Sequence, residues 1–141
     1  YPICFGVSCF RFRKLSKKGC GIVATILCVD DEPEILEVIQ FDLEMHGYIV
    51  ITASSVEEAL LKIRKIEFDM VLSDVKMPGR DGKDLARTLR KEGNGLPITF
   101  VSGFAEVDDE FIEKYQIKGI ISKPYKANEL IEWIENSLQI R

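Results

Sequence analysis

The chain has 141 residues, 46% of them hydrophobic and 30% charged, with a formal net charge of −4 and a pI near 5.1. That length favours one domain, and the composition excludes a disordered chain. The acidic balance argues against bulk nucleic-acid binding, and no run reaches the apolar length that spans a bilayer.

Residues 1–23 stand apart from the rest. Tyr1 to Phe10 is apolar and carries Cys4 and Cys9, Arg11 to Lys18 is basic, and Gly19-Cys20-Gly21 follows. An apolar stretch before a basic one reverses the order of a secretory signal. The head reads first as terminal sequence with no role of its own. The alternatives are a partner-binding arm and the end of a membrane helix entering the cytoplasm. The first Met is Met45, so a complete reading frame is not expected. Cys4, Cys9, Cys20 and Cys28 match no paired Cys-x-x-Cys zinc pattern. Cys28 reads as a small buried hydrophobe. Nothing points to secretion, so reduced thiols and a cytoplasmic location are expected.

From Thr25 short apolar runs alternate with amphipathic segments. Thr25 to Val29 reads as a strand ending at Asp30-Asp31. Pro33 suits the first turn of a helix. Ile35, Leu36, Val38, Ile39, Leu43 and Met45 give that helix an apolar side, and Gly47 closes it as a left-handed cap. Tyr48 to Thr52 is a second strand. Ser54 to Glu58 offers capping-box spacing for a second helix, with Ala59, Leu60, Ile63 and Ile66 on its buried side. Met70 to Ser73 is the third strand and ends at Asp74. Met77-Pro78-Gly79-Arg80-Asp81-Gly82 is a turn, and Leu85, Ala86 and Leu89 pattern a third helix. Ile98 to Val101 is the fourth strand, before Ser102. Glu106 to Tyr115 reads as a short fourth helix with Phe111, Ile112 and Tyr115 apolar. Gly119 to Ser122 is the fifth strand, before Lys123-Pro124. Leu130, Ile131, Ile134 and Leu138 stripe the last helix. Trp133 lies beside that stripe, as core edge or as a partner anchor. No second domain is expected after Arg141.

Five strands alternating with five helices imply an α/β fold, a three-layer sandwich around a parallel sheet. With the flavodoxin-like order 2-1-3-4-5, the first and third strands adjoin at the switch point. Asp30, Asp31 and Asp74 would then face one crevice, with Ser102 and Lys123 beside them. Three carboxylates together call for a cation, and an oxygen-only set suits Mg²⁺ better than zinc. A carboxylate beside Mg²⁺ can attack phosphorus, while a hydroxyl and an amine share the charge on the transferring oxygens. Each piece alone has a plainer reading as helix-dipole partner, turn or loop. Their fall at one end of one sheet is what gives the set its weight. His46, near the end of the first helix, reads as structural.

Val29-Asp30-Asp31-Glu32-Pro33, the stretch Asp74 to Gly82, Ser102-Gly103 and Lys123-Pro124-Tyr125 together resemble the receiver domain of two-component response regulators. The resemblance covers about Thr25 to Gln139, dividing the chain into a head at 1–23 and a receiver domain at 24–141. It implies that Asp74 accepts a phosphoryl group from a sensor histidine kinase or phosphotransfer protein. It implies that Asp31, Asp74 and the backbone carbonyl of Lys76 bind Mg²⁺ directly, with Asp30 holding it through water. Ser102 and Lys123 would meet the phosphoryl group, and the Lys123-Pro124 bond would be cis. Such a domain is a phosphoacceptor that assists only its own phosphorylation and dephosphorylation. Its readout is a downstream protein partner, an output domain or a dimer formed on phosphorylation, through the fourth helix, fifth strand and fifth helix. No direct nucleic-acid contact and no membrane insertion are expected.

One departure stands out. Ile120 takes a position where the family often has Tyr or Phe, which puts coupling through an aromatic rotamer in doubt. By the same resemblance, Lys76 and Phe104 would flank the site where water approaches, and a bulky Phe104 would slow loss of the phosphoryl group. The competing readings are the receiver portion of a hybrid kinase or larger regulator, a receiver-shaped module that is never phosphorylated, and an Asp-nucleophile phosphatase of haloacid-dehalogenase type. The last needs Asp-x-Asp, whereas Asp74 is followed by Val75-Lys76.

Overall fold

The computed structural model describes residues 24–103 and 107–138. The sequence reading of the head, with Cys4, Cys9 and Cys20, and that of Phe104 fall outside them. Strands β1 (Thr25–Val29), β2 (Ile49–Ala53), β3 (Met70–Ser73), β4 (Ile98–Ser102) and β5 (Gly119–Ser122) alternate with helices α1 (Pro33–Met45), α2 (Val56–Lys65), α3 (Gly82–Lys91), α4 (Asp109–Lys114) and α5 (Ala127–Leu138). The strands form one parallel sheet in the order β2-β1-β3-β4-β5. This is the flavodoxin-like order expected from the sequence.

The central strands read as continuous apolar runs because both faces of the sheet are covered. Along β1, Leu27 and Val29 join one core cluster, and Ile26 and Cys28 join the other. The first cluster takes Leu60 of α2 and Leu85 and Leu89 of α3, with Phe111 of α4 at its edge. The second takes Leu36, Ile39 and Leu43 of α1 and Leu130, Ile134 and Leu138 of α5. Helices α1 and α5 therefore cover one face, and α2, α3 and α4 the other. Cys28 is buried, as its place in an apolar strand requires.

Local chemistry sets the ends. Pro33 opens α1, and Gly47 follows it with φ of 89°, a conformation costly for a residue with a Cβ. Ser55 caps α2 by accepting from the Glu58 N–H. The Glu58 carboxylate reaches one residue further back than the box spacing suggests, accepting from the N–H and hydroxyl of Ser54. Asp81 and Asp84 form a reciprocal capping box on α3. Its basic counterpart near the other end is Arg90. Its guanidinium donates to the carbonyls of Tyr115 at 2.7 Å, Asn94 at 2.8 Å, Leu96 at 2.9 Å and Gln116 at 3.3 Å. That one side chain joins the loops before β4 and β5.

The structure corrects four expectations. Val38 and Met45 do not join the apolar side of α1. At 100° per residue Leu36, Ile39 and Leu43 fall together, which turns Val38, Phe41 and Met45 outward. Ile66 is exposed because α2 ends at Lys65 and Ile66 is already extended, with φ −125° and ψ 139°. The fourth helix begins at Asp109 because Asp108 caps it, its carboxylate accepting from the Phe111 N–H at 2.8 Å. Strand β2 runs one residue later than read, Ile49–Ala53.

Trp133 is half-buried core edge. Its indole Nε1–H donates to the buried Thr99 hydroxyl at 3.0 Å, and its ring lies where a Cβ on Gly119 would be, 2.5 Å away.

Candidate functional site

The parallel register levels the strand ends. Val29 pairs with Ser73, and Ser102 with Ser122, so the residues that follow emerge on one rim. The ladder continues through them. The Asp30 N–H donates to the Ala53 carbonyl at 3.1 Å, that of Asp74 to Val29 at 2.9 Å, and that of Lys123 to Ser102 at 2.9 Å. Backbone hydrogen bonds thus fix where these side chains start.

Asp30 is buried and Asp31, one residue on, is exposed. Asp30 Oδ1 accepts from the Glu32 N–H at 2.9 Å, and Oδ2 lies 3.3 Å from Lys123 Nζ. Asp74 Oδ1 accepts from the Val75 N–H at 2.8 Å, and Oδ2 lies 3.8 Å from the same ammonium. One carboxylate oxygen from each of Asp30, Asp31 and Asp74 lies within 4.8 Å of the others. Burial raises the pKa of Asp74, and the charges of Asp30 and Asp31 add to the rise. Lys123 and the Val75 N–H oppose it. One ammonium among three carboxylates leaves excess negative charge, and an oxygen-only donor set of this size fits a hard divalent cation.

Ser102 is buried at the end of β4. Lys76 is exposed, two residues beyond Asp74. The Lys123-Pro124 peptide is cis, as expected. His46 caps the end of α1 with its Nδ1 3.0 Å from the Asp42 carbonyl oxygen, away from the acidic rim. A cavity of about 470 Å³ opens at the opposite end of the sheet, lined in part by Ile66, Phe68, Asn94 and Pro97. It has no part in the acidic cluster; its Asp69 accepts from the Thr25 N–H at 2.7 Å.

The sequence reads Gly82 as the end of a turn, whereas the structure makes it the first residue of α3 and gives it a steric role. A Cβ there would collide with the Asp74 carbonyl oxygen, and the Gly82 N–H donates to the Val75 carbonyl at 2.8 Å. The missing side chain lets α3 start against the loop that carries Asp74. The Asp81-x-x-Asp84 spacing was the signal for that helix start.

A family model described as the response regulator receiver domain matches residues 26–135. Over 117 residues the chain is 29% identical to the transcriptional regulatory protein GlrR of Escherichia coli, covering 82% of this chain and 26% of that protein. It is 38% identical over 115 residues to the probable transcriptional regulator ycf27 of Pyropia yezoensis, covering 81% and 47%. The chain therefore spans about a quarter to a half of the curated relatives it matches. Among solved structures it is similar to a CheY-like receiver domain protein from Methanospirillum hungatei, with 31% identity, a TM-score of 0.77, and 83% and 94% of the two chains covered. It is also similar to the response regulator TrrA of Thermotoga maritima, solved in complex with Mg²⁺-BeF, with 30% identity, a TM-score of 0.73, and 81% and 98% covered.

Proposed function

Since the chain belongs to the response regulator receiver domain family, we propose that residues 24–141 act as a Mg²⁺-dependent phosphorylation switch with Asp74 as the acceptor. The observation that carries this reading is the meeting of Asp30, Asp31 and Asp74 within 4.8 Å, with the Lys123 amine 3.8 Å from Asp74 Oδ2.

The donor is the phosphohistidine of a sensor histidine kinase or phosphotransfer protein. A carboxylate oxygen of Asp74 attacks phosphorus, a P–O bond forms as the P–N bond breaks, and the imidazole leaves with the electron pair. Asp31, Asp74 and the Lys76 carbonyl would hold Mg²⁺ directly, with Asp30 holding it through water. When bound, the cation neutralises the carboxylates and draws charge from the phosphoryl oxygens. Lys123 and the Ser102 hydroxyl stabilise the same oxygens as charge develops. The aspartyl phosphate then alters the surface of α4, β5 and α5, which a protein partner, an output domain or a second copy reads.

The test is intact mass after incubation with Mg²⁺ and acetyl phosphate, beside Asp74→Asn. A gain of one phosphoryl group, lost in the variant and on chelation, is expected. No gain under any condition would overturn the acceptor role. Steady turnover of a phosphate ester would favour a phosphatase instead. The short span of the chain on GlrR and ycf27 favours a related reading, the receiver portion of a larger regulator.

A further inference from the structure

Helix α1 has a second apolar face. Val38, Phe41 and Met45 are 57%, 64% and 69% exposed and line one stripe, opposite the buried Leu36, Ile39 and Leu43. An ordinary surface helix shows polar residues there, and a contiguous apolar patch marks a contact. The stripe is flanked by Glu34, Glu37, Asp42 and Glu44, and α1 carries no Lys or Arg. An isologous α1–α1 pair would bring those acids together, so a second copy fits poorly. The occupant this surface suits is apolar and basic.

The chain itself holds such a segment. Residues 1–18 combine Ile3, Phe5, Val7, Phe10, Phe12 and Leu15 with Arg11, Arg13, Lys14, Lys17 and Lys18, and contain no Asp or Glu. The tether is in place. The Ala24 carbonyl accepts from the Ile49 N–H at 3.0 Å, so the described chain begins at the Met45 end of the stripe. Helix α1 has 13 residues and is about 20 Å long. The five residues 19–23 reach up to roughly 17 Å when extended, and the basic run follows directly.

We infer that the head, Tyr1–Lys18, docks on the outer face of α1, its apolar residues on Val38, Phe41 and Met45 and its basic residues toward the flanking carboxylates. A tethered segment meets its site at high effective concentration, so modest contacts suffice. Oxidation of Met45 reads this interaction without any phosphorylation at the acidic rim.

The three methionines supply the test in the intact chain. Met45 is 69% exposed, while Met70 and Met77 are 0% and 9% exposed. Oxidation to sulfoxide by dilute peroxide follows access to sulfur and is read by peptide mass spectrometry. Met45 should oxidise at least about fivefold faster in Phe5→Asp/Phe10→Asp and in Arg11→Glu/Arg13→Glu than in the parent chain, because protection scales with the docked population. Unchanged protection of Met70 and Met77 would show that the domain itself remains folded. Salt should abolish part of the difference between the parent and the charge-reversed head. Equal, fast Met45 oxidation in all three chains would overturn the proposal. So would protection that grows with protein concentration, which would assign the face to a second copy.

Discussion

Single side chains here carry separable physics. Glu58 accepts from Lys62 at 2.8 Å and from the Ser54 N–H and hydroxyl, which brings its pKa down to about 2. The folded value lies below the unfolded one. The contribution is therefore present above the ordinary Glu range and is lost as pH falls toward 2. Glu58→Gln should lower the urea midpoint at pH 7, and the gap from the parent should close as pH drops below 4 toward 2. Gly82 makes a steric prediction of the other kind. Gly82→Ala forces a Cβ onto the Asp74 carbonyl oxygen, and should cost about 1–3 kcal/mol by urea unfolding, the usual penalty of overpacking. The acidic residues of the rim were legible because each ends an apolar run. Gly82 was not, because the collision appears only once α3 is set against the loop after β3.

Among the elements, α4 is the most lightly held of the described helices. It has six residues and none is buried. Phe111 stacks near Tyr115 with centroids 4.5 Å apart, and Arg87 lies over its ring at 5.3 Å. Arg90 fixes the far end through the Tyr115 and Gln116 carbonyls. Arg90→Met keeps volume but leaves carbonyls without their donor, and should cost about 1–3 kcal/mol. Hydrogen exchange in the α4–β5 turn should rise further in that variant than exchange in α2. The strands and the stripes of α3 and α5 were readable because apolar residues there occupy one face. Helix α1 defeated the same reading for a physical reason: it is apolar on two faces, and periodicity alone cannot say which residues turn inward. Only the packing of Leu36, Ile39 and Leu43 on the sheet decides it. The start of α4 depended on the Asp108 cap, which a nearby Glu-rich pattern obscures.

For the whole molecule, stability and charge at the rim are linked. Burial and two neighbouring carboxylates raise the pKa of Asp74. Its folded value lies above the unfolded one, so the folded state holds that proton longer and loses relative stability as pH rises through this window. A cation that binds only the folded cluster offsets the loss. Millimolar Mg²⁺ should raise the melting temperature, by an amount equivalent to about 2.7 kcal/mol when its concentration is a hundredfold above Kd. The shift should be larger at pH 8 than at pH 5, where protons compete for the same oxygens. Asp31→Asn should reduce it, and an unchanged shift in that variant would remove Asp31 from the ligand set.

The seat of Trp133 gives the molecule an optical probe. It is the sole tryptophan, so all indole emission comes from one ring bonded to Thr99 and laid over Gly119. Thr99 lies in the same strand as Ser102, and Gly119 begins the strand that leads to Lys123. A displacement of either strand relative to α5 changes the polarity around the indole and with it the wavelength and anisotropy of the emitted light. A rearrangement at the acidic rim that shifts either strand would thus be followed in real time, in the unlabelled protein, by the colour of a residue seated at the other end of β4 and β5.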